Sequence, residues 1–356
     1  MKAIKFFAIS AMAAAMITSC SSEDELSQSN YPSDNIIRVT AGVNNAKTRA
    51  EGAGTPLKNP LSLTVVNKNE NATLAKKYTY VNKVFTKDDN GAWNCSETLL
   101  WQKDTQPVDI VAFAPAPNGK FNGVYAEGST QPIQSITYSV SDDQSTPSDN
   151  NDLLYYYAKD FKPGTSLVDK KLSIQFNHAF CMIDINVTLG TEFNKPNVLK
   201  ESPIVKVTLG GTKIAANVDV TKAATSNTTG STEGSTATGS TTTTTASVVT
   251  VSETDAPTTI TTTKGSFDKA ANAEANAISR FSCIAIPQKV GANTFKVSLM
   301  TAGKLYEWTS DKEITLQSGY KYTLELSMGN DVVLLKGEKI TASPWTEGTG
   351  GSLETD

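Results

Sequence analysis

The sequence predicts an all-β protein composed of sandwiches. Of its 356 residues, 38% are hydrophobic and only 19% are charged, and Thr, Ser, Asn and Gly supply much of the remainder. This composition favours strands and turns over long helices. Between about residues 57 and 340, short runs with alternating apolar side chains are separated by turn residues, a pattern typical of sandwiches. The length leaves room for two ordinary domains.

The charge pattern argues against several classes of partner and of chemistry. The 36 acidic and 32 basic residues give a net charge of −4 with no basic block, so we expect no nucleic-acid partner. The single histidine, His178, excludes a His-rich metal site. The sequence contains no GxSxG elbow, Walker A loop, HExxH helix or dinucleotide-binding glycine pattern. We therefore predict a protein that is not an enzyme and that has no cofactor or metal.

Residues 1–19 have the features of a secretion signal. Two lysines precede an Ala-rich apolar stretch that is too short for a permanent membrane helix. The stretch ends in the segment 17–20 (ITSC), which resembles a bacterial lipobox and would place a lipid on Cys20. Two or three acyl chains, at about 0.8 kcal/mol per buried CH₂, give stable anchoring to a membrane. An ordinary signal peptide followed by a chance cysteine is the alternative.

An acidic run at 21–25 (SSEDE) follows Cys20 on a polar tether. This run resembles the signal that sends lipoproteins of some Gram-negative anaerobes to the outer face of the outer membrane. A solvated acidic linker is the alternative interpretation.

The first predicted strand covers residues 36–43. Four of its residues share one apolar face: Ile37, Val39, Ala41 and Val43. This alternation predicts a half-buried strand. The polar, Gly-rich segment 44–54 then predicts an exposed loop of the kind that proteases cut, and it contains the Arg49-Ala50 bond.

The other predicted strands form the body of the chain. They cover residues 61–66, 77–85, 108–113, 136–140, 172–189, 204–209, 214–220, 281–286, 294–299, 305–308, 320–328 and 332–335. Within 172–189 the apolar alternation changes phase near 178–180, which predicts a bulge or bend at that point. His178 lies there without a second histidine or a suitable nucleophile, so we expect a structural, hydrogen-bonded histidine.

Three further patterns give local predictions. Residues 268–280, rich in Ala and Asn, are the only segment for which we predict a helix. The Gly210-Gly211 pair has no third glycine or lysine nearby to hold a phosphate and predicts a hairpin turn. Four tryptophans, scattered singly, predict core or edge packing rather than a sugar-stacking platform. They are Trp93, Trp101, Trp308 and Trp345.

The segment 221–263 is a Thr/Ser-rich tract of low complexity. Such a composition cannot bury enough apolar surface to fix its own conformation. We therefore predict a disordered insertion, with a short β-ribbon at 246–251. Mucin-like glycosylation of the tract is the functional alternative.

Beyond Cys20 the cysteines are Cys95, Cys181 and Cys283. Their odd number and the absence of a CxxC pair argue against redox catalysis. We expect buried free thiols that act as small apolar side chains. A bridge between Cys181 and Cys283 is the alternative that the sequence leaves open.

Several short segments together resemble the recurring motifs of fimbrillin-like proteins. They are 107–115 (PVDIVAFAP), 152–155 (DLLY), 176–180 (FNHAF) and 319–324 (GYKYTL), with Ile340 and Trp345. The lipobox and Thr48-Arg49-Ala50 extend the resemblance to the N-terminal region. Each motif is short, and it is their order and spacing that make the resemblance specific.

The resemblance implies a fold and a function. The fold would be two transthyretin-like antiparallel β-sandwich domains at 50–192 and 193–345, the second carrying the Thr-rich insertion. Before them would come the signal peptide and a lipidated tether with a removable strand at 20–49, and after them a tail at 346–356. The protein would be a structural subunit of a type V pilus, or fimbrium, exported as a lipoprotein to the outer membrane and cell surface and serving adhesion.

The resemblance also implies a maturation route. An Arg-directed protease would cut Arg49-Ala50, which argues for a stalk or tip subunit rather than an anchor. Loss of the strand at 36–43 would expose a groove for the strand of another subunit, and 332–345 is the expected donor. The expected partners are other copies or related pilus subunits and the protease. A surface glycan-binding lipoprotein is the alternative function; a hydrolase with an acidic pair is another, although no such pair can be nominated.

Overall fold

The computed structural model describes residues 30–44, 55–57, 59–116, 136–195, 197–225, 247–330, 332–335 and 340–345. These residues form several packed sheets, so the all-β prediction is confirmed. None of the helices in these ranges has the length and apolar character needed to cross a membrane.

The described ranges contain 23 strands and two short helices. The first ten strands are β1 (Val39–Val43), β2 (Thr55–Pro56), β3 (Leu61–Asn67), β4 (Tyr80–Lys87), β5 (Trp93–Cys95), β6 (Val108–Ala114), β7 (Ile136–Ser139), β8 (Leu154–Phe161), β9 (Leu172–His178) and β10 (Cys181–Leu189). The others are β11 (Ile204–Thr212), β12 (Ala215–Val218), β13 (Val249–Val251), β14 (Thr258–Thr261), β15 (Thr263–Asp268), β16 (Ala277–Ala285), β17 (Lys289–Val290), β18 (Lys296–Thr301), β19 (Leu305–Thr309), β20 (Ile314–Thr315), β21 (Tyr320–Met328), β22 (Val333–Leu335) and β23 (Thr341–Pro344). The helices are α1 (Ala72–Lys77) and α2 (Pro163–Ser166), and short 3-10 turns cover Asp149–Asn151, Thr191–Asn194 and Val220–Thr225.

The N-terminal part of the chain forms an eight-stranded sheet in the order β2-β1-β9-β8-β6-β3-β4-β5. Side chains from β1, β3, β6 and β9 of this sheet and from neighbouring segments share one core, which we call the first core. Its members include Ile37, Val39, Leu61, Leu63, Trp101, Ile110, Leu172, Ile174 and Phe176. The first strand of the chain is therefore part of this core.

The C-terminal part is built mainly from two sheets. One contains β15-β16-β10-β21-β22, with β23 also paired to β21, and the other has the order β14-β11-β18-β19. Side chains of both sheets pack together in the second core, among them Ile183, Val207, Phe281, Val297 and Leu324. Two small sheets, β13-β12-β7 and β17-β20, complete the described arrangement.

The expectation of antiparallel sheets holds for most pairs but not for all. β1 runs parallel to β9, and β10 runs parallel to β21. Each parallel pair brings together segments that are far apart in sequence, which parallel pairing requires because its connection must cross over.

The phase change predicted near 178–180 is present, but it is a break between two strands and not a bulge or bend within one strand. β9 ends at His178, and β10 begins at Cys181. The two apolar sets are both fully buried, but they belong to different cores: Leu172, Ile174 and Phe176 to the first, and Ile183 and its alternating partners to the second. The break therefore passes the chain from one sandwich to the other.

Sheet membership changes before the predicted domain boundary at 192/193. β10 pairs with β16 and β21 of the later part of the chain, and β7 pairs with β12. Elements from the earlier half thus complete sheets of the later half, which no local pattern in the sequence encodes.

The helix predicted at 268–280 is wrong. β15 ends at Asp268 and β16 begins at Ala277, whose alternating residues enter the second core opposite β10. Long-range pairing has overridden the modest helix preference of Ala. A helix occurs instead at Ala72–Lys77, where the Asn71 side chain accepts hydrogen bonds from the amides of Thr73 and Leu74.

The predicted disorder of 221–263 is wrong for the later part of that range. β13, within the predicted ribbon, pairs with β12, and β14 pairs with β11; Val249 and Ile260 of these strands are buried. These few apolar residues bury enough surface to hold a Thr-rich strand at a sheet edge. Residues 226–246 of the tract lie outside the described ranges.

The hairpin turn predicted at Gly210-Gly211 is also wrong, because both glycines lie inside β11 at a shift in register with β14. Gly211 has a φ of +89°, and a Cβ on it would meet the carbonyl oxygen of Thr294 at 2.1 Å. Only glycine fits this bulge.

Candidate functional site

The N-terminal strand β1 lies between two other strands. It pairs in parallel with β9, from Val39 opposite Leu172 to Val43 opposite Phe176. On its other side, the two residues of β2 pair with it antiparallel. β1 therefore fills a position inside the sheet, with only a short strand between it and the edge.

The apolar face of β1 points into the first core. Ile37, Val39 and Val43 are buried, and Ala41 is half-buried and packs against the same core. Buried side chains of the neighbouring β9 and of the segment before β6 belong to the same core, and we call them the floor: Leu99, Trp101, Leu172, Ile174 and Phe176. The side chains of Arg38 and Thr40 are exposed. The half-buried strand predicted from the alternation is therefore present, although the paired part is shorter than 36–43.

Backbone hydrogen bonds fix both ends of this strand. The amide of Ile37 donates to the Leu99 carbonyl at 2.8 Å, and the amide of Trp101 donates to the Asn35 carbonyl at 2.8 Å. At the other end, the amide of Asn44 donates to the Phe176 carbonyl at 2.6 Å. Main-chain hydrogen bonds thus hold both ends of the segment 35–44, in addition to the pairing of β1 with β9 and β2.

An exposed ion pair precedes β1. The guanidinium of Arg38 donates two hydrogen bonds to the carboxylate of Asp34, at 3.0 and 2.5 Å, and the amide of Ile36 donates to the same carboxylate. The bond from Arg38, followed by that from Ile36, lowers the pKa of Asp34 to about 2. The Asp34 side chain therefore organises the turn that leads into the strand.

The C-terminal strands β22 and β23 both pair antiparallel with β21, at opposite ends of that strand. They form the outer strand of the sheet, since β21 has β10 on its other side. Val333 and Ala342 are buried, whereas Val332 and Leu334 are 50% and 58% exposed. The segment predicted as a donor is therefore docked on its own subunit as an edge strand, with few buried side chains.

His178 is a structural residue in this fold, as predicted. It is buried at the end of β9, and its Nδ1 lies 2.8 Å from Oδ2 of Asp152. The indole of Trp345 stacks on the imidazole with ring centres 3.8 Å apart and planes at 14°. The sequence indicated neither partner, because both lie far from His178 along the chain.

The described cysteines are free thiols. Cys181 and Cys283 are buried on the paired strands β10 and β16, with Cys181 opposite Ala285 and Cys283 opposite Ile183. Burial raises the pKa of the Cys283 thiol to about 12, and it raises the pKa of Cys181 as well. These thiols are therefore poor nucleophiles at neutral pH, which fits their predicted role as small apolar side chains.

The described aromatic residues do not form a sugar-stacking platform from tryptophans. Trp93 and Trp101 are buried in the first core, Trp308 packs edge-on against Phe295, and Trp345 stacks on His178. Nor do three or more His, Cys, Asp or Glu side chains cluster as metal ligands anywhere in the described ranges.

Three predicted site residues, Cys20, Arg49 and Ala50, lie outside the described residues. Lipidation at Cys20 and cutting at Arg49-Ala50 remain predictions, as does the displacement of the strand that carries Ile37, Val39, Ala41 and Val43. No sequence pattern indicates the pairing of β1 with β2 or the stack of Trp345 on His178.

The fold and the two terminal strands define a class of protein: a β-sandwich protein whose sheets depend on strands from both ends of the chain. The family model described as fimbrillin-like matches residues 48–345, and the chain belongs to the fimbrillin-like family. This is a family of fimbrial structural subunits and not of enzymes. Membership implies assembly with other pilus subunits in a fimbrium at the cell surface.

Solved structures share the fold. A candidate cell adhesion protein from Bacteroides ovatus is 16% identical, with a TM-score of 0.57, covering 88% of this chain and 99% of the other. A second candidate cell adhesion protein, from Bacteroides uniformis, is 16% identical with a TM-score of 0.52, over 88% and 100% of the two chains. A fimbrial protein from Bacteroides vulgatus is 13% identical with a TM-score of 0.51, over 87% and 99%. The comparison with curated protein sequences found no match.

Proposed function

We propose that the protein is a stalk or tip subunit of a pilus that is exported as a lipoprotein and assembles by protease-triggered donor-strand exchange. The observation that carries this proposal is the position of β1, which fills a slot between β9 and β2 over an apolar floor. A strand in this position can be replaced by a strand of another chain without rebuilding the rest of the sandwich.

The free energy of apolar burial favours binding of a new strand in the empty slot. Three large apolar side chains of the segment, Ile37, Val39 and Val43, are buried, and each contributes about 1.5–3 kcal/mol of gross transfer free energy. Removal of the segment would leave this apolar floor and the unpaired edge of β9 in water. An incoming strand recovers both the apolar burial and the backbone hydrogen bonds.

The predicted cut falls in the connection between β1 and β2. β1 ends at Val43 and β2 begins at Thr55, so cutting at Arg49-Ala50 separates the two strands covalently. β2 and the floor stay with the body, while β1 loses the high effective concentration that the connection gives it. The cut thus converts a closed subunit into one with an open slot.

The proposed donor is the segment 332–345. It is already an edge strand, paired on one side only, with two large apolar side chains facing solvent. Departure of such a strand would uncover only Val333, Ala342 and the partly buried Ile340 of the second core, because β10, β16 and β21 remain paired with one another.

Lipidation supplies the route to the surface in this proposal. A lipid on Cys20 holds the precursor at the outer membrane, and the acidic run 21–25 directs it outward. Cys20→Ala should abolish acyl labelling and release the protein from membranes; unchanged labelling would contradict the lipid site. Neutral substitutions of Glu23, Asp24 and Glu25 should leave the protein in the periplasm, and unchanged protease accessibility on whole cells would contradict the export signal.

The sequence allows a specific test of the cut. The chain has only three arginines. The Arg38 carbonyl accepts a backbone hydrogen bond from Leu172, Arg280 lies in β16, and the two side chains are ion-paired with Asp34 and Asp268. An Arg-specific protease should therefore cut the purified, lipid-free protein preferentially after Arg49. The uncut protein should be monomeric, and the cut protein should form SDS-resistant ladders or fibres visible by electron microscopy.

Two variants complete the experiment. Arg49→Ala should stay uncut and monomeric, with Arg38→Ala as the matched control that is cut and assembles normally. Deletion of 332–356 should permit cutting but not growth. A cut protein that stays monomeric at high concentration, or an Arg49→Ala variant that polymerises as well as the wild type, would refute strand exchange at this site.

A further inference from the structure

The C-terminal strand ends at the junction between the two sandwiches. After β23, the amide of Trp345 donates a hydrogen bond to the carbonyl of Gly319 at 2.6 Å, and the amide of Gly319 donates to Phe180 at 2.9 Å. The indole of Trp345 then lies flat on His178, with ring centres 3.8 Å apart. The last described residue of the chain thus contacts the break between β9 and β10.

The surface that receives the indole is rigid. The His178 side chain is only 4% exposed, and Asp152 holds its Nδ1 at 2.8 Å. The backbone at His178 pairs with Leu154 of β8, and the amide of Ala179 donates to the Leu153 carbonyl. His178 and Asp152 are therefore fixed by the N-terminal sandwich, whereas Trp345 belongs to the last strand of the C-terminal one.

The remainder of the last strand has few side-chain contacts that could hold it. Ala342 is its one buried residue among those described in 340–345, and Trp345 is the only aromatic residue in 332–345. Backbone pairing with β21 fixes Thr341–Pro344, and such a short edge strand opens easily by itself. The stack on His178 is consequently the main side-chain contact at this end of the strand.

We propose that His178 and Asp152 form a docking site for the indole of Trp345, and that this site retains the C-terminal strand on its own subunit until assembly. The retention is local and acts on the uncut monomer. That the strand is later donated rests on the proposed function, in which release of Trp345 would precede donation. His178 is therefore a positioning residue: it holds the C-terminal strand through its contact with Trp345.

Hydrogen exchange in the uncut, lipid-free monomer tests the site directly. An aromatic stack of ordinary strength corresponds to a change of about two- to tenfold in local opening. We expect Trp345→Ala and His178→Ala to speed exchange of the amides that pair β21 with β23, within residues 320–323 and 341–343, by that factor. Trp345→Phe should retain most of the protection, and Leu334→Ala, an exposed position on β22 of the same outer strand, should be close to wild type.

Two measurements separate local release from general loss of stability. The amides that pair β10 with β16 report global unfolding, so the effect must exceed any change there. In the double variant His178→Ala/Trp345→Ala, the two effects should not add, because both remove the same contact.

The outcomes for the docking site and for assembly are distinct. Equal exchange at β23 in the wild type, Trp345→Ala and His178→Ala, or fully additive effects, would overturn the docking site even if the cut protein polymerises. If exchange responds as expected but the cut wild type never assembles, the docking site stands and donor-strand exchange is refuted.

If both the docking site and strand exchange hold, cut His178→Ala, which keeps the donor sequence intact, should assemble several-fold faster than cut wild type. An equal rate would overturn the retaining role.

Discussion

The two terminal strands of this fimbrillin-like protein are attached in contrasting ways. β1 lies inside a sheet and pairs with β9 along its length and with β2 at Gly42 and Val43, and the segment 37–43 inserts three large apolar side chains into the first core. β22 and β23 lie at an edge, pair with β21 alone, and leave Val332 and Leu334 largely in solvent. The first strand is thus an internal part of its core, and the last is an edge strand that adds only two buried side chains, Val333 and Ala342, to its core.

This difference indicates which terminal strand can leave its sheet only after the chain is cut. Loss of β1 exposes the apolar floor of the first core, so in a covalently intact chain the strand returns at once. Departure of β22 and β23 costs edge hydrogen bonds, which water can replace, and the burial of Val333 and Ala342, a smaller apolar loss than that of the first strand. Proteolysis is therefore the expected trigger at one end, and simple release of the Trp345 contact suffices at the other.

The sharpest test of this contrast is a new charge in each strand. Val39→Asp places a carboxylate in the first core and should lower the free energy of unfolding by about 4 kcal/mol or more. Leu334→Asp, on an exposed position of the last strand, should stay within about 0.5 kcal/mol of wild type. Urea unfolding of the uncut protein measures both; comparable losses would remove the distinction between the strands.

A second prediction concerns the floor beneath β1. Ile174→Ala removes a fully buried side chain of β9 and should cost about 2–5 kcal/mol in the uncut protein. Because an incoming strand would use the same floor, the cut variant should also assemble less stably than cut wild type. Val332→Ala is the matched control, with no measurable change in denaturant midpoint. Normal stability of Ile174→Ala would show that the floor does not hold the strand.

Replacement of the single histidine should have an intermediate effect. His178→Gln removes the stack with Trp345 and alters the hydrogen bond with Asp152. We expect the free energy of unfolding, measured by thermal or chemical denaturation, to fall by about 1–2 kcal/mol. Assembly of the cut variant should persist, because the role of His178 is structural. A variant with wild-type stability that no longer assembles would contradict this role.

The smallest effect is expected at low pH in the segment before β1. The Asp34 pKa is lowered to about 2, mainly by Arg38, so the ionised carboxylate stabilises the folded turn. This contribution is complete above the ordinary pKa of Asp and is lost as the pH falls through about 2. Amide exchange at Ile36 and Ile37, corrected for its intrinsic pH dependence, should therefore increase between pH 4 and pH 2. Asp34→Asn should show no such transition; an identical transition in this variant would assign it to another group.

Local alternation alone determined much of this structure. The all-β class, the half-buried face of the first strand, the strand break near His178 and the buried free thiols all follow from side-chain period and composition, which act within a few residues. The motifs at 107–115, 152–155, 176–180 and 319–324 also indicated the family that the match over 48–345 establishes. These features needed no knowledge of distant partners.

Other features were decided only by the tertiary structure. Ala277–Ala285 is a strand and not a helix because it pairs with β10, and Gly211 lies in a bulge because Thr294 approaches it. Three contacts each join segments that are distant along the chain: the parallel pairing of β1 with β9, the pairing of β7 with β12, and the stack of Trp345 on His178. Side-chain period states which face of a strand is buried but not which strand lies beside it, because backbone pairing is almost independent of sequence and is selected by the packing of the whole core.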